Sequence, residues 1–292
     1  DDIASFKETA EANQQKGYRI TLQVPHYLAV LQYAQNRKLR ETLYHAYVTR
    51  ASEFDFEGKF NNNDVMRRIV ELREKEASIL GYRNYGEVSL ATKMAQSPDQ
   101  VIAFLRDLAQ KSLPQAKADM AEVKTFAREK LGIDDPQSWD LPFASEKLRE
   151  ARYAYSDQEV KQYFTLPAVF KGLFGLVQTL FNIRIVNDSA PLWHPDVQFF
   201  RIENDKGEKI AQFYMDLYAR PNKRGGAWMD NDRTRNRLYG TLQTPVAYLV
   251  CNFAKPVGDK PALLTHDDVL TLFHEFGHGL HHMLSRIEEP AA

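Results

Sequence analysis

Two histidines and a glutamate near the end of the chain have the spacing of a metal-dependent hydrolytic site. The segment His274-Glu275-Phe276-Gly277-His278 places two imidazoles four residues apart. Four residues make about one helical turn, so both rings lie on one face, where one zinc ion can bind both nitrogens. Zinc lowers the pKa of a bound water from about 15.7 toward about 7, and Glu275 is placed to accept its proton. The spacing predicts zinc ligands at His274 and His278 and a general base at Glu275.

The same five-residue pattern also occurs in helices without a metal, where both histidines are surface or structural residues. Its context here favours the metal site. Thr265 and Asp268 have the spacing of a capping box, which predicts a helix over residues 269 to at least 287. Apolar side chains are available to bury the opposite helix face: Phe273, Phe276 and Leu280.

A third ligand is not obvious in the sequence, although a catalytic zinc normally takes three from the protein. His281 and His282 lie near the same helix face. Three ligands spread over two turns of one helix cannot converge on a tetrahedral ion without distortion. A hydrogen-bonding role is therefore favoured for both His281 and His282, and zinc ligation by one of them is the alternative. Glu288 would lie about 15 Å along the helix, too far to reach back.

The elements that hold this helix change in character along the chain. Helical patterns fill the first part of the chain. The first covers residues 25–47, with a break near 35–37, and the second runs from the turn at 61–64 to Gly81. Further helices are predicted to start at Pro98, to run from Pro114 to Gly132, and to cover 145–154 and 166–181. Strand patterns follow at residues 197–202, 209–218 and 245–253, with a hairpin turn at 204–207. A small sheet is therefore expected directly before the zinc helix.

Composition narrows the possible partners. The 292 residues are 43% hydrophobic and 26% charged with a formal net charge of −1, which gives no electrostatic reason to expect nucleic acid or an anionic membrane as a partner. No apolar stretch is long enough to span a bilayer. The single cysteine, Cys251, is interpreted as a buried structural thiol on a strand. No signal-peptide pattern is found at the start of the sequence. Because the first residue, Asp1, is not methionine, the sequence is expected to begin partway into a longer chain.

The zinc segment continues as Gly279-Leu280-His281 and, in this form, resembles the active-site helix of the thimet oligopeptidase and neurolysin family of zinc metallopeptidases. The resemblance is strongest to the bacterial cytoplasmic branch of that family. Other segments share it and span nearly the whole chain: residues 39–41, 49–52, 90–95, 193–197, 213–220, 222–229 and 264–267.

The resemblance implies a mainly α fold, an elongated helical neurolysin-like zincin with a small β-sheet beside the active-site helix and a deep substrate channel. Residues 1–195 would be the helical region that forms channel walls, and residues 196–292 a partial catalytic region. The implied activity is that of a zinc endopeptidase, with one Zn²⁺ per intact protein. Its substrates would be short unstructured peptides, because a folded protein cannot enter the channel. The implied location is cytoplasmic.

Individual site residues follow from the same resemblance. His274 and His278 match the family's zinc histidines, and Glu275 matches its catalytic glutamate. One further segment matches part of the substrate path, where an edge strand could pair with an extended peptide: Gly225, Gly226, Ala227 and Trp228. The alternative for its two glycines is a plain tight turn.

The departure from the family is a truncation. The family's third ligand, a glutamate, and its oxyanion-stabilising loop would both lie past Ala292, so the chain is expected to be an internal part of a longer protein. The missing remainder of its own polypeptide is then a possible partner. Two other functions stay open: an inactive peptide-binding or scaffold protein, against which the intact Glu275 argues, and a zinc hydrolase with a non-peptide substrate.

Overall fold

The computed structural model describes residues 2–55, 58–154 and 156–289. Its ten α-helices within these ranges are, in chain order, α1 (Asp2–Ala12), α2 (Val24–Tyr33), α3 (Arg37–Val48), α4 (Asn63–Ile79), α5 (Tyr85–Leu90), α6 (Pro98–Leu131), α7 (Leu141–Tyr153), α8 (Asp157–Val160), α9 (Leu166–Phe181) and α10 (His266–Leu284). Its strands are β1 (Arg184–Asn187), β2 (Gln198–Glu203), β3 (Lys209–Tyr218), β4 (Trp228–Arg233) and β5 (Val246–Phe253). Short 3₁₀ turns occur at Lys161–Tyr163 and Leu238–Gly240. The expectation of a mainly α chain with one small sheet beside the active-site helix is confirmed.

The chain divides into two compact units. One comprises residues 30–148, and the other combines residues 1–29 with 149–292. The first unit is helical within the described residues, and the second contains the sheet and α10. No described helix is long and apolar enough to cross a membrane.

Helix α6 corrects one prediction from the sequence. Pro114 was expected to start a new helix, but α6 continues through it as one helix of 34 residues. Ser97 caps its start by accepting a hydrogen bond from Gln100 N, and Gly132 ends it at a left-handed φ of 66°. Proline removes one backbone donor, and the strong helix formers on both sides outweigh that local loss.

The sheet has the strand order β1-β2-β3-β5-β4, with β3 and β5 parallel and the other pairs antiparallel. The predicted strands are found as β2, β3 and β5, and the predicted hairpin turn joins β2 to β3 with Gly207 at a φ of 77°. Strands β1 and β4 carry no clear alternation and were not predicted. In the described sheet β4 is an edge strand, which pairs with β5 alone.

Helix α10 packs its apolar face against one face of this sheet. Phe276 is buried there and meets the edge of Phe213 of β3, with ring centroids 5.6 Å apart. The buried thiol of Cys251 on β5 belongs to the same core, as expected, and burial raises its pKa to about 12. Four helix side chains face the sheet: Leu272, Phe276, Leu280 and Met283.

The end of α10 differs from the sequence prediction. The helix stops at Leu284, and Ser285 is extended, with φ −58° and ψ 134°. The chain then runs beside the segment after β4, where Arg237 N donates to the backbone oxygen of Glu288. This pairing draws the chain away from the helix axis and explains why the helix does not reach residue 287.

Candidate active site

The start of α10 is fixed by its own side chains. Thr265 accepts a hydrogen bond from Asp268 N, and the Asp268 carboxylate accepts one from Thr265 N, so the predicted capping box is formed. Burial raises the pKa of Asp268 despite these bonds. With the apolar face on the sheet, the histidine face turns outward, and both His274 and His278 are exposed. The cap and the apolar stripe together therefore determine which way the two histidines point.

The two histidines converge at their tips. The Nε2 atoms of His274 and His278 are 3.1 Å apart, and the ring planes are nearly perpendicular at 88°. Two nitrogens that bind one tetrahedral zinc at about 2.0–2.1 Å lie about 3.3–3.4 Å apart. The pair therefore fits a shared zinc ion with only a small adjustment. Among the described residues, no group of three His, Cys, Asp or Glu side chains converges to hold a metal.

Glu275 lies beside this pair on the buried side of the helix. Only 8% of the surface of Glu275 is exposed to solvent, whereas His274 and His278 are both exposed. Its charge contributes to the raised pKa of Cys251, after the larger effect of burial. No hydrogen bond holds its side chain within the described part of the chain. The carboxylate can thus accept a proton from a molecule that binds beside the helix.

A groove of about 720 Å³ connects this helix to the edge strand. The helix contributes Glu275, His278, His281 and His282 to its lining, and Ser285 follows directly after the helix. The chain at β4 contributes Ala227, Trp228, Met229 and Asn231. Because β4 is an edge strand, the groove is bordered by backbone groups that no described strand uses. The candidate site thus combines two converging imidazoles, a buried carboxylate and an open strand edge.

Gly279 sets how closely the helix approaches the sheet. A Cβ atom at this position would lie 2.8 Å from Cδ2 of Leu249, which is fully buried on β5. At Gly277 the same atom would meet nothing within 4 Å. Of the two glycines in this part of α10, only Gly279 is needed for close packing. This contact sets the distance between β5 and the helical turn that carries His278.

The remaining candidates lie at the end of α10 and just after it, and none of them joins the histidine pair. His282 Nε2 lies 2.9 Å from the backbone oxygen of Arg233, which supports the hydrogen-bonding role expected for it. His281 is exposed and lines the groove. The Glu288 carboxylate binds Arg235 and Arg237 at 2.7 Å and 2.6 Å, and these bonds lower its pKa. Glu288 is therefore directed at the segment after β4.

The four residues predicted on the substrate path divide into two pairs. Ala227 and Trp228 line the groove with Glu275, whereas Gly225 and Gly226 lie in the loop before it. Gly226 has a φ of 92°, which favours glycine. The Asn252 side chain donates to the backbone oxygens of Arg224 and Gly226, at 2.9 Å and 2.7 Å, and fixes this turn.

A buried polar network that the sequence did not indicate anchors the same loop. Lys223 Nζ donates to the carboxylate of Asp216 and to the backbone oxygens of Tyr218 and Cys251. Arg220 forms two further bonds to Asp216, of 2.6 Å and 2.7 Å, and Trp193 Nε1 donates to it at 3.0 Å. Both Asp216 and Lys223 fall in the segments that resemble the family, but nothing in their spacing indicates that they pair.

The charges in this network depend on one another. Burial by itself would raise the pKa of Asp216, but hydrogen bonds from Arg220, Lys223 and Trp193 outweigh it and lower the pKa to about 2. Burial lowers the pKa of Lys223, partly offset by Asp216. The network holds the ends of β3 and β5 to the loop that leads into β4 and so supports the strand edge at the groove.

Comparison with known proteins identifies the family to which the chain belongs. The profile of peptidase family M3 matches residues 30–292, so the chain belongs to this family of peptidases. It is 48% identical over 289 residues to oligopeptidase A of Escherichia coli strain K12. It is also 45% identical over 279 residues to the organellar oligopeptidase A, chloroplastic/mitochondrial, of Arabidopsis thaliana, and 35% identical over 283 residues to the dipeptidyl carboxypeptidase of Escherichia coli strain K12. The family resemblance drawn from the sequence motifs is confirmed.

These alignments cover most of this chain but less than half of each relative. The Escherichia coli oligopeptidase A alignment includes 98% of this chain and 42% of that protein. The corresponding shares are 92% and 35% for the Arabidopsis protein, and 95% and 41% for the dipeptidyl carboxypeptidase. The chain therefore spans about two fifths of the length of these relatives.

Proposed function

We propose that the protein containing this chain is a zinc-dependent endopeptidase that hydrolyses peptide bonds in short, unstructured peptides. The observation that carries the proposal is the convergence of the Nε2 atoms of His274 and His278, 3.1 Å apart on α10. The largely buried Glu275 on the same helix lines the groove beside the strand edge. Membership of peptidase family M3 and similarity to oligopeptidase A support the same reaction class.

Each of these side chains has a distinct proposed role. His274 and His278 hold zinc through their Nε2 atoms, with a further ligand from outside the described residues. When bound, zinc supplies Lewis acidity at the scissile carbonyl and at the attacking water. Glu275 accepts the proton of that water and passes it to the leaving amine. Its partial burial beside the groove keeps the carboxylate close to the reacting atoms without placing it among the ligands.

The substrate is proposed to lie along β4. An extended peptide can pair with the free backbone groups of an edge strand, and this pairing requires a segment without structure of its own. Ala227 and Trp228 would contact the peptide, and Gly225 and Gly226 would shape the turn before the strand. Residues 1–195 are proposed to contribute to walls that restrict access, as the family resemblance implies.

A cytoplasmic location is proposed, as the family resemblance implies. Two Arabidopsis relatives are named for different compartments, one as probable cytosolic and one as chloroplastic/mitochondrial oligopeptidase A. Fractionation of the native host with antibody detection tests the assignment, and recovery with organelles or membranes would contradict it.

The decisive experiment is Glu275→Gln in the full-length protein. The amide is nearly isosteric but cannot accept the proton, so kcat for a short quenched fluorescent peptide should fall by about 10²–10⁴-fold while zinc content is unchanged. Glu129→Gln, the same substitution at an exposed position in α6, is the matched control. Near-normal turnover by zinc-replete Glu275→Gln would show that another group is the base.

The ligand assignment is tested separately. His274→Ala and His278→Ala should each lose zinc, measured by metal analysis after dialysis, because each removes one ligand. Retention of full zinc by both variants would contradict the assignment. An inactive peptide-binding protein of the same fold, the second candidate, would instead bind the peptide and leave it uncut in the unmodified protein.

A further inference from the structure

Helix α10 carries a third histidine in register with the proposed ligands. His274, His278 and His282 are spaced by four residues, so they form one row along the helix. The first two converge on each other, whereas His282 Nε2 lies 2.9 Å from the backbone oxygen of Arg233. A carbonyl oxygen can only accept a hydrogen bond, so Nε2 of His282 carries the proton and donates it. The row thus joins the metal-binding pair to the last residue of β4.

A second connection joins the same two parts of the chain. Glu288, just after α10, accepts hydrogen bonds from Arg235 and Arg237, and its backbone oxygen accepts one from Arg237 N at 3.1 Å. Both connections hold the end of β4 and the segment that follows it against the end of α10. Strand β4 needs this support, because its only partner in the described sheet is β5 and its last residues are exposed.

We propose that His282 and Glu288 are positioning residues that hold the peptide-binding edge of β4 at a fixed distance from His274 and His278. The proposal rests on the proposed function, in which a peptide pairs with β4. Asn231 is the last residue of β4 that lines the groove. The hydrogen bond from His282 reaches the backbone oxygen of Arg233, two residues further along the strand. Loss of this bond should therefore release the far end of the edge and leave the part beside Glu275 in place.

Peptide length provides the readout. Strand β4 has six residues and spans about 20 Å at about 3.3 Å per residue, so a peptide of about ten residues can run its full length, whereas one of about four cannot. In the zinc-loaded full-length protein, His282→Leu should raise KM for the long peptide about twofold to tenfold, the equivalent of one hydrogen bond. KM for the short peptide should rise much less than KM for the long one, and zinc content should stay the same. Amide hydrogen exchange should accelerate at the end of β4.

Three further variants separate positioning from general damage. His282→Gln keeps an N–H donor near the Nε2 position and should restore KM for the long peptide. Glu288→Gln, at the second connection, should give the same length-dependent rise to a smaller extent, and it remains informative if His282→Leu fails to fold. His266→Leu, an exposed histidine at the other end of the same helix, is the matched control and should leave both peptides unaffected.

Specific results would overturn the positioning role. These are an equal rise in KM for both peptides, loss of zinc from a folded His282→Leu, or no rescue by His282→Gln. They are distinguishable from failure of the proposed function, which would appear in the unmodified protein as no cleavage of either peptide at full zinc occupancy.

Discussion

The two units of this chain bury different kinds of side chain. In the sheet-containing unit, α9, the strands and α10 share one continuous apolar core, which includes Phe213, Leu249 and Phe276. In the described part of the helical unit the buried apolar set is small, and alanines make up much of it: Val30, Leu31, Leu43, Ala77, Ala127, Phe143 and Ala144. Apolar packing therefore holds the region that carries the site, and the helical region depends more on polar contacts.

The main polar contact of the helical unit is a buried ion pair. Arg40 is 1% exposed and donates to Asp140 at 2.8 Å, and Arg37 binds the same carboxylate from the surface side at 2.7 Å. Arg40 also donates to the backbone oxygens of Ala34 and Trp139. Burial opposes ionisation of Asp140, but the bonds from the two arginines outweigh it and lower its pKa. One carboxylate thus links the start of α3 to the chain before α7.

The largest expected effect tests this dependence. Asp140→Asn keeps the side-chain volume but leaves the buried Arg40 charge without a counter-charge, so it should lower the free energy of unfolding of the helical unit by about 3–5 kcal/mol. Hydrogen exchange of α3 and α7 in the full-length protein measures the loss. Asp107→Asn, which breaks an exposed pair with Lys111, should change stability by less than about 1 kcal/mol. Equal effects would show that the buried pair has no special role.

The next effect tests the apolar packing of the other unit. Gly279→Ala adds a Cβ that must displace the buried Leu249 side chain, which should cost about 1–3 kcal/mol. Gly277→Ala meets no neighbour and should stabilise the helix by up to about 1 kcal/mol. Hydrogen exchange of α10 and β5 distinguishes the two variants. If both are equally tolerated, the helix is not closely packed on the sheet.

Acidification tests the polar network of the sheet unit. The pKa of Asp216 is about 2 in the folded protein against an ordinary value of 3.8. Because the folded pKa is depressed, the stabilisation is present above about pH 4 and is lost as pH falls toward 2, and its size is about 2 kcal/mol. Asp216→Asn should remove this contribution, so the stability curves of variant and parent should approach each other between pH 4 and 2. Parallel curves would contradict the role of Asp216.

The smallest effect concerns the start of the active-site helix. Thr265→Ala removes the acceptor for Asp268 N and should cost about 1 kcal/mol. Exchange should accelerate only in the first turn of α10 and leave the helical unit unchanged. Faster exchange throughout both units would show that they do not respond independently.

Sequence patterns predicted the two regions unequally. In β3 the strand pattern was predicted correctly, and its alternating residues Phe213, Met215 and Leu217 all lie buried in the core. In α4 and α6 the periodic apolar positions also predicted helices, yet Ile69 and Phe104 are exposed in the described structure. Periodicity indicates an apolar face without showing whether another element covers it.

The candidate site shows the same contrast. That His274 and His278 would converge on one helix face could be predicted, because their relation is local to one helix. The partners of Asp216, His282 and Glu288 could not, because each lies on another element and its pairing depends on tertiary structure. Strand β4 was missed for a related reason. Its residues Asp230, Asn231 and Asp232 have low strand propensity, and its conformation comes from pairing with β5.

The buried thiol of β5 makes the sheet observable from outside. Burial raises the pKa of Cys251 to about 12, so its thiol stays protonated at pH 7, and the side chain is fully covered in the folded state. An alkylating reagent can therefore modify it at an appreciable rate only when the sheet opens. Cys251 is the only cysteine of the 292 residues. The rate of its alkylation therefore measures how often α10 separates from the strands on which it packs.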